Sequence, residues 1–257
     1  MLLETRRFAI GAFAGAIVLL TSLPASAAEL RVAAASSTQD ALAAVAREFQ
    51  RLRGVKVVTT FGSSGKLYHQ ILRGAPYDVF LSADEVFPEK LEREGLVSAR
   101  RRYARGRIVL WAPHRSPVDP SRGLKVLGDP RVRKVAIANP RLAPYGHAAS
   151  AALRASGLEA GVSPKLVFGE SVSHAAHFVS SGAAEVGFLS LSLALSPRLA
   201  PAGRFWLVPE TLHPPLFAGA VALEAAREPQ AASDFLAFCV SPAGQAIWGQ
   251  FGLELAK

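Results

Sequence analysis

One cysteine stands among 257 residues, which excludes an internal disulfide. Within Phe235-Leu236-Ala237-Phe238-Cys239 the thiol reads as a small buried hydrophobe. Charged residues are scarce at 19%, against 50% hydrophobic, a balance that excludes disorder and implies substantial cores. Past the N-terminal segment no run is long and apolar enough to span a bilayer. Basic residues outnumber acidic ones by 29 to 20, for a net charge of +9, yet they are dispersed. Arg100-Arg101-Arg102 is the longest basic run and no aromatic-rich basic stripe accompanies it, which argues against nucleic acid as a partner. Such a surface instead draws small anions over long range, an effect that salt weakens.

What is present begins with an address. Arg6 and Arg7 precede the apolar stretch Phe8 to Leu20, and Pro24-Ala25-Ser26-Ala27 offers the small residues that a signal peptidase needs. This pattern predicts an export signal cleaved after Ala27, in preference to a membrane anchor, because the stretch falls short of the roughly 20 residues that span a bilayer. Cys239 lies too far from the signal to carry a lipid. A soluble periplasmic protein, expected to be monomeric, follows.

Downstream the order is strand, helix, strand, helix, strand, the pattern of an α/β fold with mainly parallel sheets. Predicted strands are Leu30 to Ala35, Val55 to Phe61, Tyr77 to Leu81 and Arg107 to Ala112. Apolar residues at helical spacing from Ala41 to Phe49, with Gly54 as a stop, mark the first helix. Ser82-Ala83-Asp84-Glu85 matches a capping box. After Pro113 the pattern restarts: strands at Val135 to Ala138, Lys165 to Phe168 and Ala184 to Leu189, helices at Gly146 to Ser156 and Val172 to Ser181. The tail offers one strand, Leu216 to Leu223, and two helices, too little for a third domain. The expected organisation is 28–110 as the first part of lobe I, 111–213 as lobe II and 214–257 returning to lobe I. Segments near Arg107 to Pro113 and Gly203 to Pro214 would form a two-stranded hinge beside a cleft.

Three short uncharged turns carry the chemistry: Ala35-Ser36-Ser37-Thr38, Gly62-Ser63-Ser64-Gly65 and Ala143-Pro144-Tyr145-Gly146. Each follows a predicted strand and precedes a helix, so hydroxyls and free N–H groups gather at helix N-termini, where anions bind. None holds an acid or a histidine, which favours holding an anion over reacting with it. Ser36 and Ser37 serve either as helix caps or as ligand donors. In the second turn glycines on both sides free the backbone, and Ser63 and Ser64 add hydroxyl donors. Tyr145 either packs or reaches into the cleft, and Val172 begins a further helix.

Other motifs lead less far. Ser63-Ser64-Gly65-Lys66 has the S-x-x-K spelling of serine acyl-transfer enzymes, but no Ser-Asp-Asn or Lys-Thr-Gly element follows. His174 and His177 stand three apart on one predicted helix, without an Asp, Glu or Cys at ligand spacing.

Ala33-Ala34-Ala35-Ser36-Ser37, the Gly-Ser-Ser-Gly turn, Gly74-Ala75-Pro76-Tyr77-Asp78-Val79-Phe80-Leu81-Ser82-Ala83-Asp84 and Asn139 to Gly146 together resemble the periplasmic molybdate-binding proteins of ABC transporters. The resemblance runs over essentially the whole mature chain. It implies a two-lobed type II periplasmic-binding fold that closes on molybdate or tungstate and delivers it to a membrane permease. It implies no catalysis and no cofactor besides that ligand. The positions it matches for ligand contact are Ser36, Ser37, Ser64, Tyr145 and the backbone N–H of Val172. Some members carry a tyrosine where Gly187-Phe188-Leu189-Ser190 stands here, so the contact is carried over to Tyr145 rather than to Ser190. Binding of another oxyanion or a small organic acid, or acyl transfer by Ser63 and Lys66, are the alternatives.

Overall fold

The computed structural model describes residues 28–254; the export signal read in residues 1–27 lies outside them. The first strands and helices are β1 (Glu29–Ala35), α1 (Gln39–Arg53), β2 (Lys56–Gly62), α2 (Ser64–Ile71), β3 (Val79–Leu81), α3 (Val86–Arg93) and β4 (Val97–Gly106). There follow β5 (Ile108–Pro113), β6 (Val135–Ala138), α4 (Pro144–Ala155), α5 (Glu159–Val162), β7 (Leu166–Gly169), α6 (Val172–Ser181), β8 (Val186–Ser190), α7 (Leu191–Ala194) and β9 (Gly203–Leu207). The chain ends with β10 (Leu216–Leu223), α8 (Pro229–Val240) and α9 (Pro242–Gln250).

Two five-stranded sheets result, ordered β2-β1-β3-β10-β4 and β7-β6-β8-β5-β9. They repeat one design. The first three strands of each order are parallel, and the fourth runs against both neighbours. That opposed strand is, in each sheet, the one that enters directly after the chain has crossed from the other lobe. Central strands are buried on both faces, which explains the unbroken apolar spelling of Val32 to Ala35 and Val135 to Ala138. On α1 the buried residues Ala41, Leu42, Val45 and Phe49 form one face, and Gly54, at φ 68°, ends the helix by donating its N–H to the Gln50 carbonyl. Asp78 is buried and accepts the N–H groups of Arg31 and Arg227, each at 2.7 Å, so the first of the two acids in the Gly74 to Asp84 signature ties strands and tail together. Among the described residues no helix is long and apolar enough to cross a membrane.

Some sequence expectations need correction. The hinge segments are strands β5 and β9, paired antiparallel within the second sheet, and Ile108 to Leu110, read as the end of lobe I, lie in that sheet too. The crossings proper are Arg107 and residues 208–215, held side by side by the Val208 N–H on the Ile108 carbonyl at 3.0 Å. Ions surround them. Arg105 pairs with Glu210 at 2.5 Å and Arg107 with Glu254 at 3.0 Å, while Arg105 and Glu254 also exchange two backbone hydrogen bonds. The capping box is not made: Ser82 Oγ donates to Asp84 Oδ1 at 2.9 Å, Asp84 Oδ1 accepts the Phe87 N–H, and Glu85 turns to Arg102. The run Arg100-Arg101-Arg102 forms part of edge strand β4, where Arg100 and Arg102 meet acids of α3 and its approach.

Candidate functional site

The three turns meet. Strands β1, β2, β6 and β7 end on the same side of the molecule, at the carboxyl edge where open α/β sheets place ligands. Ser36, Ser37, Ser64, Tyr145 and Val172, predicted one by one, line a single cavity between the lobes, together with Ser63 and the small residues Ala35, Gly62, Ala83, Ala143 and Pro144. The lobes are closed on it, leaving about 10 Å³ for the centre of a water-sized sphere, room on the scale of one water.

Lobe I supplies the hydroxyls. Ser64 Oγ accepts the Ala83 N–H at 3.0 Å; with that lone pair used, its proton is left to donate. Ser36 Oγ likewise accepts the Ser173 N–H at 3.4 Å. Ser37 Oγ and Ser63 Oγ are buried and have no hydrogen-bond partner. Lobe II supplies Tyr145, 4% exposed, and the start of α6. As the first residue of that helix, Val172 has an N–H with no intrahelical acceptor. Burial pushes the Tyr145 phenol well above its ordinary range, while the nearby Ser37 hydroxyl acts the other way. The phenol is therefore a neutral donor at any physiological pH. Ser37 stands close enough to influence that ionisation, yet outside hydrogen-bonding geometry.

No Asp, Glu, His, Lys or Arg lines this cavity. Hydroxyls, a phenol and helix N-termini make a surface rich in donors, suited to a guest that offers only acceptors.

Closure is held by contacts that the sequence does not reveal. Ser173 Oγ donates to the Ser36 carbonyl at 3.0 Å, and Ser192 Oγ to the Ser37 carbonyl at 2.6 Å. The Gly65 N–H reaches the Leu142 carbonyl at 2.8 Å, and Lys66 pairs with Glu170 at 2.6 Å. Each joins one lobe to the other, so spacing along the chain gives no sign of them; Ser173 and Ser192 are visible only as polar residues in short helices. Ser190, outside the cavity, caps α7 by accepting the Leu193 N–H, and its Oγ lies 3.0 Å from Ser192 Oγ, which can accept the Ser190 proton because its own goes to Ser37. The S-x-x-K pair is split: Lys66 is turned to Glu170, and no base lies within hydrogen-bonding distance of Ser63 Oγ. His174 accepts the Glu170 N–H through Nδ1 and stacks near Phe178. Among the described residues no group of three or more His, Cys, Asp or Glu side chains could hold a metal ion.

Residues 30–254 match the family described as bacterial extracellular solute-binding protein. The chain is 37% identical to the molybdate-binding protein ModA of Azotobacter vinelandii over 92% of its own length and 94% of the relative's. It is 36% identical to the molybdate-binding protein ModA of Rhodobacter capsulatus, covering 94% of each chain. The solved structure of the Azotobacter vinelandii periplasmic molybdate-binding protein superposes with a TM-score of 0.82 at 35% identity, over 89% of this chain and 100% of that one. With the two-lobed fold and the cleft between its sheets, these matches establish that the chain belongs to the bacterial extracellular solute-binding protein family.

Proposed function

We propose that this chain captures molybdate or tungstate between its lobes in the periplasm and delivers it, as a monomer, to an ABC permease of the inner membrane. One observation carries the reading: the cavity is lined by hydroxyl and N–H donors and by no acid or histidine. A fully ionised tetrahedral oxyanion has acceptors only, so these donors satisfy it without a proton anywhere in the site. Phosphate near neutral pH keeps a proton, and that donor would be buried without an acceptor at a cost of about 1–3 kcal/mol. Sulfate has the charge and shape but is smaller, so discrimination against it rests on size. The names of the relatives at 36% and 37% identity support this cargo.

Neutral dipoles suit a carrier that must let go. Each lobe holds one set of donors, and the anion joins them, so it favours the closed form by its differential affinity. The closed lobes leave room on the scale of a single water, so an anion of five atoms requires them to stand further apart. Ser63 and Lys66 have no role as nucleophile and base in this reading, and no cofactor is required.

A thermal-unfolding scan with molybdate, tungstate, sulfate and phosphate at equal concentration tests it. A ligand at 100 to 1,000 times its dissociation constant stabilises by about 2.7 to 4.1 kcal/mol, several degrees for a chain of this size. The expected result is a rise with molybdate and tungstate and none with phosphate. A rise with none of the four would overturn the assignment.

A further inference from the structure

Helix α2 begins without a side-chain cap. Ser63 has the extended backbone, φ −71° and ψ 146°, at which an N-cap serine normally turns its oxygen onto the N–H of the second or third helical residue, but no such bond is made. The first of those two N–H groups, on Gly65, is given to the Leu142 carbonyl of the other lobe at 2.8 Å. That approach requires a glycine, since a Cβ at position 65 would stand 2.9 Å from the same carbonyl oxygen. Ser63 is left 3% exposed, lining the cavity, with its Oγ buried and unpartnered. A buried hydroxyl in that position is unfavourable unless a guest completes it.

We infer that Ser63 is a further ligand-contacting residue: its hydroxyl, buried against the cavity without a partner in the protein, goes to the bound anion, while the Gly65 N–H, one of the two amides that a capping serine serves, is engaged by Leu142 across the lobes. The inference deepens the anion-binding reading above and rests on it. It gives the Gly-Ser-Ser-Gly turn two donors with different constraints. Ser64 is oriented by the Ala83 N–H it accepts, whereas the Ser63 hydroxyl has no partner within the protein and is free to follow the anion.

Calorimetric titration of the mature chain with sodium molybdate tests this, using wild type, Ser63→Ala, Ser63→Gly and Ser63→Thr. A hydrogen bond to an anion corresponds to about a ten- to hundredfold change in affinity. Alanine and glycine are expected to weaken binding by that factor, while threonine, which keeps the hydroxyl, stays near wild type. Glycine is itself accepted at helix N-caps, so it maintains the start of α2 should alanine disturb folding. Unchanged affinity in both hydroxyl-free variants would overturn the inference. So would losses that appear in all three variants and follow a lowered unfolding midpoint of the ligand-free protein, because the role would then be structural. A wild-type chain that binds none of molybdate, tungstate and sulfate would remove the anion reading and this inference with it, a result distinct from the other two.

Discussion

The Tyr145 phenol of lobe II is seated on the backbone of Gly106, the last residue of β4 before the chain crosses between lobes. A Cβ at position 106 would run into Tyr145 Oη and lie 3.1 Å from Cζ. Glycine at the crossing therefore sets how deep the phenol sits. Gly106→Ala is expected to displace the ring at a cost of about 1–3 kcal/mol, weakening molybdate binding by roughly 5- to 150-fold. In a Tyr145→Phe background the same substitution should cost less, since the colliding oxygen is gone. Equal losses in both backgrounds, measured by titration calorimetry, would show that the two residues act independently.

Alkaline pH should unfold this protein through its buried acids. Burial raises the Tyr145 and Tyr103 phenols and the Cys239 thiol above their ordinary ranges. Above about pH 8.5 for a thiol and about pH 10 for a phenol, the unfolded chain releases protons that the native one keeps. Stability that these groups provide is thus complete below those values and is lost as pH rises through them. Urea midpoints at pH 8, 9.5 and 10.5 should fall in that order, and Tyr103→Phe should flatten the last step. A midpoint that rises with pH would contradict the sign.

The Lys66–Glu170 pair spans the cleft with each side chain about half exposed, 47% and 49%. Exposed pairs contribute only about 0.2–1 kcal/mol. Lys66→Met should speed anion release by no more than about fivefold, and the difference should vanish near 1 M salt, where the screening length is about 3 Å. Stopped-flow release at low and high salt is the measurement, and a loss that persists in salt would point to a packing role for the lysine stem.

Ser64→Ala should behave unlike a change at Ser63. Removing Ser64 Oγ leaves the buried Ala83 N–H without its acceptor, a penalty of about 1–3 kcal/mol. Both the ligand-free unfolding midpoint and the oxyanion affinity should fall. A variant with reduced affinity and an unchanged ligand-free midpoint would mean that this hydroxyl serves the guest alone.

The turns of the site were legible because each lies between an apolar strand and a helical repeat, and because small residues and hydroxyls without nearby charge are an uncommon spelling. Edge strand β4 was not, since Arg100-Arg101-Arg102 gives no apolar alternation; its arginines are accommodated by acids of α3, a tertiary contact. The capping box at Ser82 failed for a local reason, Asp84 taking the serine hydroxyl that Glu85 was expected to complement. Ser173 and Ser192 escaped notice because their acceptors lie in the other lobe, more than 130 positions away in sequence. Ser63 was recognised as a donor, but that its hydroxyl is buried without a partner is a fact of packing, which no local pattern gives.

Glu254 exchanges backbone hydrogen bonds with Arg105 near the end of β4 and pairs with Arg107, so the end of the described chain is fastened where lobe I meets the crossing. Anything attached beyond it, an affinity tag or a surface tether, would pull where the two lobes turn on each other. A load there would tilt the balance between open and closed forms and alter apparent affinity without touching the cavity, whereas a fusion at the exposed tip of a lobe would leave that balance alone.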